Sequence, residues 1–190
     1  MDDIIIISPD DETYPKERLA HWFPTLPALH ALGNLDLLRL PLTALFCSRK
    51  CPGDAILKAY DLARDLREKE TPVIGGFHTP VEKDMLEILL KGKGPIVICP
   101  ARGLEGMRIT PALRKGVDHG HILFLSISPP QEKRITQDLA EERNLLVAAL
   151  AAKWEFVYTD PGGHLEKLKV QIAYKMEQNT YKDTMRVSCS

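Results

Sequence analysis

Short apolar runs alternate with helix-spaced segments from Leu42 to Gln178, and this alternation constrains the fold more than any other feature of the chain. Leu42-Thr43-Ala44-Leu45-Phe46-Cys47 is too short for a helix and apolar throughout, the pattern of a strand buried on both faces. Ser48 to Asp54 reads as a turn, with Pro52 placed to open a helix. Ile56, Ala59, Tyr60, Ala63 and Leu66 then recur at helical spacing as far as Lys69. Pro72-Val73-Ile74 predicts a second strand, ended by Gly75-Gly76. Thr79-Pro80-Val81-Glu82 has the N-cap, first-turn proline and capping-box glutamate of a helix start. Pro95 to Cys99 predicts the third strand, Thr110 to about Asp118 a helix, and Ile122 to Ser126 the fourth strand. A long helix is expected from Arg134 to Ala152, a fifth strand from Glu155 to Thr159, and a last helix ending near Gln178.

Strands and helices in this rhythm predict a three-layer α/β fold around a mainly parallel sheet, with right-handed crossovers. Three segments follow. Residues 42–178 form the core domain. Residues 1–41 break the alternation, with one strand at Ile4 to Ile7 and a Pro-punctuated stretch, and are expected to pack on the core as an N-terminal extension. Residues 179–190 show no apolar period and are expected to be a flexible tail.

In open parallel sheets ligands bind beyond the carboxyl ends of the strands. Four turns are expected at that edge: Ser48-Arg49-Lys50, Gly75-Gly76-Phe77-His78-Thr79, Pro100-Ala101-Arg102-Gly103 and Asp160-Pro161-Gly162-Gly163. Each suits an anion. Helix N-termini offer unpaired N–H groups and partial positive charge. Gly75 and Gly76 admit close backbone approach. Arg49, Lys50 and Arg102 supply cations, and Ser48 and Thr79 supply hydroxyls. On the long helix, Glu142-Arg143-Asn144 interrupts the apolar stripe of Ile135, Leu139, Leu146 and Leu150, which points Arg143 or Asn144 at a polar site. The candidate ligand or phosphate-binding residues are therefore Ser48, Arg49, Lys50, Gly75, Gly76, Phe77, His78, Thr79, Arg102, Gly103, Arg143, Asn144, Gly162 and Gly163. The ligand they suit is a nucleotide or another phosphate-like anion.

Several classes lose support. Neither a Gly-x-Gly-x-x-Gly nor a Gly-x-x-x-x-Gly-Lys-Ser/Thr motif occurs. The six histidines show no metal-ligand spacing, and Cys47 and Cys51 are one residue too far apart for a Cys-x-x-Cys motif. Cys47 and Cys99 read as small buried hydrophobes, and the cysteines as free thiols. Trp22 and Trp154 read as packing residues. A net charge of -1 excludes a broadly basic surface, though not a local basic patch. With an acidic Met1-Asp2-Asp3 start and no long apolar run, the expectation is a cytoplasmic protein without a membrane span.

Six stretches together carry a family resemblance. They are Tyr14-Pro15 through Gly33, Leu45 to Arg49, Ile74 to Glu82, Val97 to Leu104, Leu125-Ser126, and Glu142-Arg143-Asn144 before Ala148-Ala149-Leu150. In this order the sequence resembles the DNA-processing protein A family (DprA, or Smf), within the SLOG group of Rossmann-like nucleotide-binding proteins. The resemblance implies a Rossmann-like fold, binding of nucleotide phosphates or single-stranded DNA, and a role in DNA uptake or recombination. It also implies RecA recombinase as a partner and a homodimer. Two departures bear on DNA. The Arg-Gly-Ile-Asp run usual in the second turn is here His78 to Glu82, and Glu141, Glu142 and Leu145 stand where the family places positive charge. From this sequence, the winged-helix module that many members carry is not expected after the last helix.

Two alternatives remain at the sequence level. One is a sensor of a small nucleotide derivative, using the same pocket without DNA. The other is an enzyme like the nucleoside-monophosphate phosphoribohydrolases, whose Pro-Gly-Gly-x-Gly-Thr-x-x-Glu signature Pro161-Gly162-Gly163-His164-Leu165-Glu166 only begins to match. No catalytic residue is assigned.

Overall fold

The computed structural model describes residues 4–187, with side chains through Gln178. Seven strands form one sheet: β1 (Ile5–Ile7), β2 (Leu29–Gly33), β3 (Leu42–Cys47), β4 (Val73–Gly75), β5 (Ile96–Ile98), β6 (Ile122–Ser126) and β7 (Ala151–Tyr158). Their order is β1-β2-β6-β5-β4-β3-β7. The run from β6 through β7 is parallel, and β1 and β2 are added antiparallel at one side. The α-helices are α1 (Lys16–Ala20), α2 (Gly53–Glu68), α3 (Pro80–Leu89), α4 (Pro111–Asp118), α5 (Gln137–Leu150) and α6 (His164–Val187), with a 3-10 turn at Leu35–Arg39. The mainly parallel, three-layer α/β architecture read from the sequence is the one observed.

Each face of the sheet buries its own core. Leu19 of α1, Leu146 and Leu150 of α5, and Leu168 and Ile172 of α6 pack with Phe46, Ile74, Val97 and Leu123 on one face. Ala59 and Ala63 of α2 and Met85 and Leu89 of α3 pack with Leu45, Val73 and Ile96 on the other. The small residues on α2 are what let that helix lie close to the strands. Trp22 and Trp154 are half-buried against the first core, as packing residues should be. Among the described residues no helix is long and apolar enough to cross a membrane.

Three elements differ from the sequence reading. The stretch at residues 1–41 contributes a second strand, β2, fully hydrogen-bonded between β1 and β6. Two strands of the extension thus lie in the sheet itself. Leu29-His30-Ala31-Leu32-Gly33 lacks β-branched residues, so its strand state comes from its neighbours rather than its propensity. Second, α5 ends at Leu150, and β7 begins at Ala151 instead of Glu155. No Gly or Pro marks this junction. The last helical carbonyls are satisfied from outside: Trp154 Nε1 donates to Ala148 O at 3.0 Å, and Arg18 Nη1 to Leu150 O at 3.3 Å. Third, α6 runs on to Val187, so most of the expected tail 179–190 is helical; its last three residues lie outside the described ones.

The chain steps from β3 to β4 to β5 to β6 in one direction, and then returns so that β7 lies on the other side of β3. The topological reversal therefore falls between β3 and β7. The crevice expected of such a sheet opens at their carboxyl ends.

Candidate functional site at the carboxyl edge

A cavity of about 300 Å³ lies at this reversal. Its walls come from the turn after β3 (Cys47, Ser48, Arg49), the start of α3 (Thr79, Glu82), one side of α5 (Gln137, Ala140, Glu141, Arg143, Asn144) and the turn after β7 into α6 (Asp160, Gly163, His164, Leu165). The two turns are stitched together. Ser48 N donates to Tyr158 O at 2.9 Å, and Ser48 Oγ accepts from Asp160 N at 2.9 Å, which leaves the hydroxyl proton available to a ligand.

Arg143 dominates the electrostatics. Its side chain is only 6% exposed. Nη1 donates to Cys99 O at 3.3 Å and Nε to Asn144 Oδ1 at 2.9 Å. Both acceptors are neutral, and no carboxylate among the described residues pairs with the guanidinium at salt-bridge distance. Burial pulls its pKa down, while the more distant charge of Glu82 pulls it up. Nη2 has no hydrogen-bond partner among the described residues, and the Arg143 side chain lines the cavity. Gly76 makes this placement possible: a Cβ there would lie 1.7 Å from Nη1 and 2.2 Å from Cζ.

Glu82 has a second role beside capping. Its Oε2 accepts from His78 N at 2.9 Å and Thr79 N at 3.2 Å, and its Oε1 accepts from Cys47 N at 3.0 Å. The carboxylate is 5% exposed and ties the end of β3 to the turn after β4. It occupies the N–H groups that the glycine turn was expected to offer an external anion. The Gly75-to-Thr79 turn therefore shapes the cavity through Gly76 and Thr79, and its His78 and Thr79 N–H groups are already held by Glu82.

The remaining predicted residues divide. Ser48, Arg49, Thr79, Arg143, Asn144 and Gly163 line the cavity. Lys50 is exposed beyond the rim and lines no wall. Phe77, at φ 47°, buries its ring in the second core beside Gly75. His78 is exposed, and its pKa is lowered by partial burial and then by the Arg143 charge. Gly162 takes a left-handed φ of 72° and gives its N–H to Glu166 Oε2 at 2.6 Å, so it shapes the entry to α6. Arg102 and Gly103 lie outside the cavity, because β4 stands between β5 and the reversal. Gly103 is instead packed under the loop after β6; a Cβ there would lie 2.1 Å from Pro129 O.

Sequence reading missed Gln137, Ala140, Glu141, His164 and Leu165 as wall residues. The spacing 137, 140, 141, 144 on α5 is one helix face, and its polarity was the available signal. Cys47 enters the wall as a neutral group, since burial, then the neighbouring Cys51, push its thiol pKa well up. Cys99 is likewise pushed up, to about 12. Cys47, Cys51 and Cys99 are free thiols, while Cys189 lies outside the described residues. Among the described residues no group of His, Cys, Asp or Glu is arranged to hold a metal ion.

A family model described as DNA recombination-mediator protein A matches residues 5–180. No curated protein sequence matches the chain. Similar solved structures include DNA processing protein A from Streptococcus pneumoniae, with a TM-score of 0.65 and 22% identity over 81% of this chain and 54% of that one. Another is DNA processing protein A from Helicobacter pylori, described for its single-stranded DNA binding mode. It has a TM-score of 0.61 and 18% identity over 81% of this chain and 68% of that one. The chain thus spans about half the length of the S. pneumoniae protein. At these identities the two likenesses concern the fold.

Proposed function

Since the chain belongs to the DNA recombination-mediator protein A family, we propose that its carboxyl-edge cavity binds the phosphate of a nucleotide, either free or within single-stranded DNA, and that the protein serves DNA recombination in the cytoplasm. One observation carries this reading. Arg143 is a buried guanidinium that lines the cavity, has no paired carboxylate, and keeps Nη2 without a partner among the described residues. Burying an unpaired charge is costly, and an arriving phosphate would offset that cost with charge-assisted hydrogen bonds. Arg49 on the rim adds a second cation, and Ser48 a hydroxyl. A volume of about 300 Å³ is at the small end of ligand sites and suits one nucleotide.

The same walls hold Glu82, Glu141 and Asp160, so the cavity is far from uniformly positive. Affinity for a long single strand should be weak, because such affinity comes largely from phosphate neutralisation. These carboxylates favour a second reading, a sensor of a mononucleotide derivative. The hydrolase reading has less support, since both oxygens of Glu82 already accept backbone N–H groups. The family's description as a recombination mediator supports a RecA-type recombinase as partner; a homodimer belongs to the same proposal.

Thermal shift with a panel of nucleotides and oligothymidylates tests the reading. A ligand at about 100 times its Kd adds roughly 2.7 kcal/mol of stability. A shift with the parent that disappears in Arg143→Ala supports the proposal. An equal shift in both proteins places the site elsewhere.

A further inference from the structure

Next to the main cavity, a second one of about 120 Å³ opens along the seam between α5 and α6. Glu141, Asn144 and His164 line both. The division between the two cavities is therefore made of side chains, and its contacts are known. His164 Nδ1 lies 2.9 Å from Glu141 Oε1, Gln137 Nε2 lies 2.8 Å from His164 Nε2, and Gln137 Nε2 donates to Glu141 Oε1 at 3.1 Å. The His164 and Glu141 side chains are 51% and 45% exposed. Half-exposed pairs of this kind are weak and easily exchanged for other partners.

The seam has its own chemistry. Lys167 stands at its wall, is exposed, and has no side-chain partner among the described residues. The Asn144 amide gives its oxygen to Arg143 and keeps its N–H groups for the seam or the cavity. Gln171 adds another amide, and Leu145 and Leu168 form an apolar floor. At well under half the volume of the main cavity, the seam is too small for a second whole nucleotide.

We infer that the seam is a second phosphate subsite, in which Lys167 takes the phosphodiester leading from a nucleotide in the main cavity to the next residue of a single strand. The Gln137–His164–Glu141 contact is the partition that the strand displaces. This rests on the main cavity binding a nucleotide phosphate, as proposed above. It adds a direction: the strand leaves the sheet edge between α5 and α6, not across the exposed turn at Lys50. A mononucleotide needs only the first cavity, whereas an oligonucleotide gains from both.

The test compares thymidine monophosphate with a short oligothymidylate, titrated at low salt by calorimetry and by anisotropy. Lys167→Glu is the informative variant, because the side chain is exposed and its loss removes no internal bond. Lys169→Glu is the control: it makes the same charge change outside the seam, where Lys169 lies over the Phe156 ring. The expected result is that Lys167→Glu lowers oligonucleotide affinity roughly tenfold and reduces the salt slope by about 0.7. Its mononucleotide affinity stays at the parent value, and Lys169→Glu changes neither. If Lys167→Glu leaves oligonucleotide affinity unchanged while the mononucleotide binds normally, the seam proposal is overturned and the cavity stands. If Lys169→Glu has the same effect as Lys167→Glu, the contribution is diffuse charge and the subsite is refuted. If the parent fails to bind the mononucleotide at all, the cavity reading falls, and the seam reading with it.

Discussion

Replacing Gly76 with alanine should disable the cavity while leaving the fold in place. The new Cβ would lie 1.7 Å from Arg143 Nη1, 2.2 Å from Cζ and 2.9 Å from Nε. Ordinary contact needs roughly 3.5 Å, so the guanidinium must shift by about 2 Å. The backbone does not resist the substitution, because Gly76 has no left-handed φ. The displaced Nη1 loses its bond to Cys99 O. A hydrogen bond to a charged group is worth about 1.5–3 kcal/mol, so a stability loss of about 2 kcal/mol is expected. For a chain of this size that lowers Tm by roughly 4–8 °C. Phosphate binding should weaken by a similar free energy, roughly thirtyfold. The assay is a double-mutant cycle in nucleotide affinity: parent, Gly76→Ala, Arg143→Ala and the double variant. If Gly76 acts through Arg143, adding Gly76→Ala to Arg143→Ala costs almost nothing, and the coupling energy is about 2 kcal/mol. Equal losses in both backgrounds, or parent-like binding by Gly76→Ala, would refute the reasoning.

Glu82→Gln replaces an acceptor that holds three backbone N–H groups with an amide that sets its own N–H against one or more of them. Urea unfolding should show a loss of about 2–3 kcal/mol, and parent-like stability would contradict the latch. His30 is buried in β2 with an unpartnered Nδ1, and burial lowers its pKa, only partly offset by the Ser126 backbone. His78 and His121 shift in the same direction. The unfolded chain therefore takes up these protons first. Stability should be complete above about pH 6.5, the ordinary histidine value, and fall as pH drops through it. His30→Gln should flatten that slope, and an unchanged slope would acquit His30. Anisotropy with a long oligothymidylate should show micromolar or weaker binding that fades with salt; nanomolar binding surviving moderate salt would mean that cations outside the cavity dominate.

The sequence reading succeeded where local chemistry decides the structure. Thr79, Pro80 and Glu82 announced α3, and both halves of the capping box are present. Thr110 and Pro111 did the same for α4. It failed where neighbours decide. Leu29–Gly33 becomes a strand because β1 and β6 hydrogen-bond it from both sides. Ala151 to Lys153 continue the pattern of α5 and become strand because β3 offers them a partner. The site divided along the same line. Arg143 and Asn144 were legible as an interruption in an apolar stripe, and Ser48 and Arg49 as a turn after a strand. Arg102 was misplaced because a turn's chemistry says which edge it occupies, while strand order says which turns are adjacent. Glu82 hid in plain view: a capping glutamate explains its spacing, and only the fold brings Cys47 N–H to its other oxygen.

The most direct measurement of the central claim is a crystal structure of the protein with a bound nucleotide. The account predicts a phosphate oxygen within hydrogen-bonding distance of Arg143 Nη2, with the Ser48 hydroxyl and the Arg49 side chain turned toward it and Glu82 still holding its three backbone N–H groups. A nucleotide bound at the Arg102-Gly103 turn, or bound at the carboxyl edge with Arg143 still directed only at Cys99 O and Asn144, would contradict it.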